Sequence, residues 1–320
     1  MNYTFQSRFS RRIRDMLEYR AALGRSTVGY GWNLANFDRF CLSHFPDESL
    51  LTKALVFAWC DDANGNSGYR AQIIRGFARY LVSTGEEAFL MPKGFYPPRK
   101  PNLPYIFTNG ELRRFFEATD RFAGYRNSPL LEYTVPVVFR LQYACGMRPQ
   151  EVRLLKRIDF NFADNTIYIA EAKHCKDRRL AVNPNVMEMC RSYDRIAETV
   201  IPGRVYFFQS PQTGVAYGHA WLTAKFHQCW AMSGNDIDIG RGPCTPYAFR
   251  HNYATQTLMR WVDEGKDLNA WILYLCAYMG HATFSATFYY IHLLPERLRC
   301  LDFMSVSDII PEVRDEEEAQ

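Results

Sequence analysis

The sequence predicts a mainly α-helical protein with one small antiparallel β-sheet, divided into two domains. Three observations carry that expectation. Four N-terminal segments repeat apolar residues at helical spacing. A proline-dense stretch separates them from the rest of the chain. Over residues 159–182 the apolar period falls from helical to alternating, and then it returns to helical.

The N-terminal helices are expected at residues 9–23, 27–45, 49–60 and 67–84, with an Asp-, Asn- and Gly-rich loop at residues 61–68. In the fourth, Arg75 and Arg79 are one turn apart and Arg70 is close by. They form either a solvated face or a face that follows the phosphates of DNA, and the interleaved aromatics do not separate the two. Between residues 91 and 107 stand Pro92, Pro97, Pro98, Pro101 and Pro104. Proline fixes φ and removes a donor, so this stretch cannot be helical and reads as a stiff connector. The expected division is a helical domain at 1–91, a linker at 92–107, a second domain at 108–300 and a tail at 301–320.

Thr108 and Glu111 form a capping-box pattern that opens a helix running to residue 119. An apolar helix follows at 130–143, and Pro149 suits the first turn of a short helix ending near 155. Strands are expected at 159–162, 166–171 and 179–182, with turns at Asp164 and Asn165 and at residues 174–177. Helices resume afterwards, one of them at 245–261 with Thr245 as its cap and Pro246 at its first position.

Composition narrows the class. The chain is 48% hydrophobic and 22% charged, as expected for a soluble globular protein. No run reaches the roughly 18 apolar residues of a membrane span. The opening residues are arginine-rich without an apolar core, unlike a secretory signal, so the expected location is cytoplasmic, with the nucleoid, and without a membrane partner. Nine cysteines occur without a CxxC pair, which points to buried thiols rather than a zinc site or disulfides. The net charge of +4 divides into −6 over residues 301–320 and +10 over the rest. A basic body is compatible with nucleic-acid binding.

The chemistry lies in four segments: Gly146-Met147-Arg148-Pro149-Gln150-Glu151, Lys173 in Ala172-Lys173-His174-Cys175-Lys176, Tyr247-Ala248-Phe249-Arg250-His251, and Gly280-His281 followed by Tyr290 and His292. A guanidinium is a permanently charged fork that binds two phosphate oxygens. A lysine can protonate a leaving oxygen, and a tyrosine can act as a nucleophile. Together these groups can hold, attack and release a phosphodiester without a metal or ATP. Neither GxxxxGK[ST] nor HExxH occurs.

These segments resemble the boxes of the tyrosine recombinases, the lambda-integrase or phage-integrase family. That family reads Gly-Leu-Arg-x-x-Glu-Leu at its first box, and Gly146 to Val152 follows it. Its last box reads Leu-Gly-His, then Tyr nine residues on and His two further, as Met279-Gly280-His281, Tyr290 and His292 do here. That spacing selects Tyr290 over Tyr289. The resemblance covers residues 108–295, and the N-terminal helices resemble more loosely the family's SAM-like core-binding domain, a DNA clamp.

The resemblance implies that Arg148 and Arg250 neutralise the phosphorane, and that His281 bonds a non-bridging oxygen. Lys173, on the hairpin between the second and third strands, would protonate the 5′ oxygen, with Lys176 as its rival or as a DNA contact. Tyr290 would form a covalent 3′-phosphotyrosine. Glu151, His251 and His292 are supporting residues, and His251 can equally be a core histidine. The second box departs from the usual His-x-Leu-Arg-His: Tyr247 replaces its first His, and a phenol that titrates near ~10 is a poor proton shuttle.

The implied partners are double-stranded DNA and three further copies of the chain, a homotetramer across two duplexes, with accessory DNA-bending or sister recombinase proteins. No cofactor and no metal are implied. The expected activity is site-specific recombination, as an integrase or mobile-element transposase. A type IB topoisomerase, a telomere resolvase, or a non-catalytic DNA-binding protein on a decayed scaffold stay open as alternatives.

Overall fold

The structure is a computed structural model, and it describes residues 3–62, 66–96, 104–170, 177–236, 242–281 and 283–291. The chain forms two compact units, Met1–Pro101 and Asn102–Gln320.

The first unit is built from α1 (Ser10–Ala22), α2 (Val28–His44), α3 (Lys53–Asp61) and α4 (Ser67–Ser83). Phe9, Phe37, Trp59 and Phe77 meet at its centre, with Phe37 5.2 Å from Trp59 and 6.2 Å from Phe77 between ring centroids. One helix begins later than its sequence pattern suggests. α3 starts at Lys53 rather than near residue 49, because the Thr52 hydroxyl accepts from the Leu55 N–H and caps it. Buried Asp38 accepts from the backbone N–H groups of Gln6 and Ser7, which ties the entering chain to α2. Phe89 N donates to Leu51 O at 2.7 Å and closes the unit at its other end.

The second unit contains α5 (Asn109–Asp120), α6 (Leu131–Cys145), α7 (Pro149–Leu154), α8 (Pro184–Val200), α9 (His219–Met232), α10 (Ala248–Asp263), α11 (Leu268–Met279) and α12 (Ser285–Ile291). Both halves of the Thr108–Glu111 capping box are present. A three-stranded antiparallel sheet in the order β1 (Phe160–Asn161), β2 (Thr166–Ile169), β3 (Arg178–Ala181) lies between α7 and α8 in the chain. The pairing Ile167 with Leu180 sets one face of β2 and β3 toward the core. Phe107, Phe115, Phe139, Phe226 and Phe249 fill the middle of the unit as a packed aromatic cluster. A second apolar cluster under α10, α11 and α12 includes Leu258, Trp261, Leu275, Met279 and Tyr290.

The expected helix at 245–261 is corrected at its start: α10 begins at Ala248. Ala248 N bonds Thr245 O at 2.9 Å and Arg250 N bonds Tyr247 O at 3.1 Å, a tight i to i+3 turn leading into the helix. Tyr247 is therefore the N-cap residue, and no side chain caps α10. Seven cysteines fall among the described residues, all buried and unpaired. Among the described residues no helix is long and apolar enough to cross a membrane, and no cluster suited to a metal occurs.

Candidate active site

The site is organised by the C-terminal end of α11. The last carbonyls of a helix have no partner within it, and they carry the negative end of its dipole. Here three successive carbonyls receive three arginines. Tyr278 O accepts from Arg178 Nε at 2.8 Å, Met279 O from Arg250 Nη2 at 2.5 Å, and Gly280 O from Arg148 Nη2 at 2.9 Å. Gly280 ends the helix at φ +63°, a conformation that favours glycine. A Cβ there would also stand 2.9 Å from Arg178 Nη1, so the guanidinium approaches only a bare backbone.

Each arginine reaches this point from a different element. Arg148 precedes Pro149 as the N-cap of α7, and its side chain is 17% exposed. Arg250 lies in the first turn of α10 and is wholly buried. The neighbouring Phe249 enters the aromatic core, so one turn of α10 serves both the core and the site. Arg250 Nη1 also donates to Gly146 O at 2.8 Å. Gly146 is left-handed at φ +58°, and a Cβ there would strike the Tyr253 ring at 2.6 Å. The first and second boxes thus meet through a backbone carbonyl, 104 residues apart in sequence.

Glu151 lies under the arginines. Its Oε1 accepts from Arg148 Nη1 at 2.6 Å and Arg178 Nη1 at 3.0 Å. Its Oε2 accepts from Arg148 N at 2.8 Å and Arg178 Nη2 at 2.9 Å, and lies 4.0 Å from Arg250 Nη1. Burial disfavours this carboxylate's charge, but the Arg178 hydrogen bonds and charge, with those of Arg148, outweigh it and hold the pKa at about 2. Three guanidiniums and one carboxylate leave two net positive charges. Burial and then the Arg148 charge push the Arg250 pKa below its ordinary value.

Tyr290 sits on α12, 3% exposed, with its ring stacked on His281 at 6.0 Å and tilted against His251 at 5.6 Å. Burial raises its pKa to about 12, against the lowering effect of Arg250 and Arg148. The phenol is thus un-ionised at neutral pH. His281 follows the Gly280 turn, and its Nδ1 pairs with the buried Thr287 hydroxyl on α12 at 2.7 Å, which ties the helix carrying Tyr290 to the arginines. When Thr287 donates, the neutral ring carries its proton on Nε2. Burial and then the Arg250 charge hold both His281 and His251 at about 4, so both are neutral at pH 7. Buried His251 Nδ1 has no hydrogen-bond partner among the described residues. Tyr247 packs its ring on His251 at 5.0 Å and is 40% exposed.

The structure brings together Arg148, Glu151, Tyr247, Arg250, His251, His281 and Tyr290. Lys173, Lys176 and His292 lie outside the described residues. Arg178 was missed by sequence reasoning. Strand alternation was the available signal: Arg178 lies two residues from buried Leu180 on β3 and so shares its inward face. The three candidate DNA contacts of the first unit differ from one another. Arg70 Nη1 donates to Trp59 O at 2.6 Å and pairs with Asp62. Arg75 donates to Met91 O and Pro92 O. Arg79 is exposed and has no hydrogen bond or ion pair among the described residues.

Comparison with known proteins identifies the family. A profile of the Phage integrase family matches residues 107–297. A Sinorhizobium fredii protein described as an integrase/recombinase, y4rB, is 25% identical over 310 residues, covering 92% of this chain and 95% of its own. Tyrosine recombinase XerD of Ralstonia nicotianae is 27% identical over 228 residues, covering 69% of this chain and 65% of its own. Among solved structures, the XerH site-specific recombinase bound to palindromic difH substrate in a post-cleavage complex superposes with a TM-score of 0.64. It is 18% identical, over 84% of this chain and 77% of that one. The chain belongs to the phage integrase family, the tyrosine recombinases, which cut and rejoin DNA.

Proposed function

We propose that this chain is a site-specific recombinase, an integrase or mobile-element transposase, that cuts double-stranded DNA through a 3′-phosphotyrosine. Tyr290 Oη attacks the phosphorus, the bond to the 5′ oxygen breaks, and that oxygen leaves as a hydroxyl. Arg148 and Arg250 each use two of five guanidinium donors on the protein, which leaves donors for the non-bridging oxygens. Attack on a phosphodiester monoanion gives a dianionic phosphorane, and the two net positive charges of the arginine cluster match it. His281, held through Nδ1, donates from Nε2 to a non-bridging oxygen. His251 takes the phenolic proton on Nδ1, and Tyr247 lies against its ring. Lys173 supplies the proton to the 5′ oxygen, with Lys176 as the rival, and His292 supports the site.

The observation that carries this reading is the meeting of Arg148, Arg250 and His281 around Gly280, with the Tyr290 ring stacked on His281. The working assembly would be a homotetramer on two duplexes, with accessory DNA-bending or sister recombinase proteins. The first unit would clamp DNA, with Arg79 the best placed of its three candidate arginines because its charge is exposed. The acidic residues 301–320 would serve contacts between copies rather than DNA.

A DNA substrate nicked beside the cleavage site loses its short 5′ fragment and traps the covalent adduct. Wild type and Tyr289→Phe should be trapped on the 3′ end, and Tyr290→Phe should not. Trapping by Tyr290→Phe but not by Tyr289→Phe would move the nucleophile to Tyr289.

A further inference from the structure

We propose that Arg178 is a positioning residue for Arg148, and that it acts by saturating the Glu151 carboxylate. The proposal rests on the reading that Arg148 binds the phosphate under attack. Arg178 presents both terminal nitrogens to Glu151, one to each oxygen, at 3.0 and 2.9 Å. Arg148 gives that carboxylate only one guanidinium nitrogen and turns its other terminal nitrogen to Gly280 O. The two arginines therefore divide the labour. Arg178 takes the two-pronged position under the site, and Arg148 stays turned toward the end of α11, where Arg250 also arrives.

The arrangement is built in. The Arg178 side chain is 9% exposed and that of Glu151 7%, so neither is a solvent-screened surface charge. Arg178 Nε is fixed on Tyr278 O, which leaves its fork only one direction. Gly280 has no Cβ where one would press on the Arg178 guanidinium. Without Arg178, Glu151 would be a buried carboxylate hydrogen-bonded to one guanidinium, that of Arg148, with Arg250 4.0 Å away. The remedy nearest to hand is a full two-pronged pairing with Arg148, and a carboxylate binds guanidinium in the same way as a phosphate does. Arg148 would then be held by the protein in competition with DNA. The net positive charge of the arginine cluster itself would also fall from two to one.

The test is single-turnover cleavage of a nicked half-site DNA by the full chain, with half-site affinity measured alongside. Arg178→Gln keeps a side chain of polar character but loses the charge, and it should slow cleavage about a hundredfold while affinity changes little. Adding Glu151→Gln removes the unsatisfied carboxylate. The double variant should then cleave roughly tenfold faster than Arg178→Gln alone. A purely structural role for Arg178 would move in the opposite direction, because the second substitution removes further native contacts. Where Arg178→Gln does not fold, Arg178→Lys, which keeps the charge without the fork, replaces it, and Glu151→Gln should speed it likewise. Cleavage at the wild-type rate by the single variant, or no gain in the double variant, overturns the proposal. Arg148→Ala separates the two readings. If it cleaves normally, the role of Arg148 itself is wrong. If it is inactive while Glu151→Gln fails to rescue, only the positioning role of Arg178 is wrong.

Discussion

Arginines in both units bond to backbone carbonyls, but with different consequences. In the first unit Arg70 and Arg75 each staple a separate stretch of chain, one at Trp59 and the other at Met91 and Pro92. In the second unit Arg148, Arg178 and Arg250 converge on three consecutive carbonyls and share one carboxylate. A single arginine on a carbonyl stabilises a fold. Three at one helix end, sharing one carboxylate among the described residues, leave positive charge that an anionic ligand can neutralise. Convergence under burial therefore marks a site, whereas arginine content or helical spacing does not.

The largest effect expected from this contrast is on cleavage. Arg148→Ala and Arg250→Ala should each slow it by about 10²–10³-fold or more, roughly 3 kcal/mol of transition-state stabilisation, by analogy with the loss of an oxyanion donor. Half-site affinity should fall far less, because many phosphate contacts share it. Equal losses of binding and cleavage would mean that these arginines merely hold DNA. Lys173→Ala should also be slow on ordinary DNA but largely restored on a 5′-bridging sulfur linkage, whose leaving group needs little protonation. Rescue of Lys176→Ala alone would transfer the role to Lys176.

The first unit should respond in stability. Arg75→Ala leaves two carbonyls without their charged donor and should cost about 1–3 kcal/mol in denaturant unfolding, with catalysis by the folded fraction unchanged. Arg79→Ala should leave stability within about 0.5 kcal/mol while lowering DNA affinity and reducing the salt slope by about one. Reversal of these two outcomes would erase the distinction drawn between the arginines of this unit.

Acid should weaken the second unit. His251 and His281 are held at about 4 in the fold, below the ordinary 6.5, so the unfolded chain binds protons more readily. Their contribution is fully present above 6.5 and is lost as pH falls toward 4. Glu151, at about 2, adds a second loss as pH falls below its ordinary 4.5. Thermal melts across this window should show the decline, and His251→Gln with His281→Gln should flatten its upper part.

Much of the fold was legible because burial imposes a period. The four helices of the first unit, the capping box at Thr108 and the three short strands all follow local patterns. The misreadings occur where tertiary contacts decide. Thr245 and Pro246 have the residue types of a helix start, yet the chain closes a tight turn there and α10 begins at Ala248. Helical spacing grouped Arg75 with Arg79 and placed Arg70 nearby, and it could not show that the carbonyls taking the Arg70 and Arg75 donors lie 11 to 17 residues away. In the site, the boxes carrying Arg148, Arg250, His281 and Tyr290 were visible from residue types and spacing. Arg178 was not, because its partner Glu151 is 27 residues distant and its ligand carbonyl 100.

The most direct test of the convergence is a charge-neutral scissile linkage. A methylphosphonate replaces one non-bridging oxygen by methyl and removes the phosphate's negative charge. If Arg148 and Arg250 neutralise that charge, the ratio of wild-type to variant cleavage rate for Arg148→Ala and for Arg250→Ala should shrink by about tenfold or more on the methylphosphonate. Tyr290→Phe should stay inactive on both linkages. An unchanged ratio would show that the arginine cluster does not act on the phosphate, and the account of the site would be wrong.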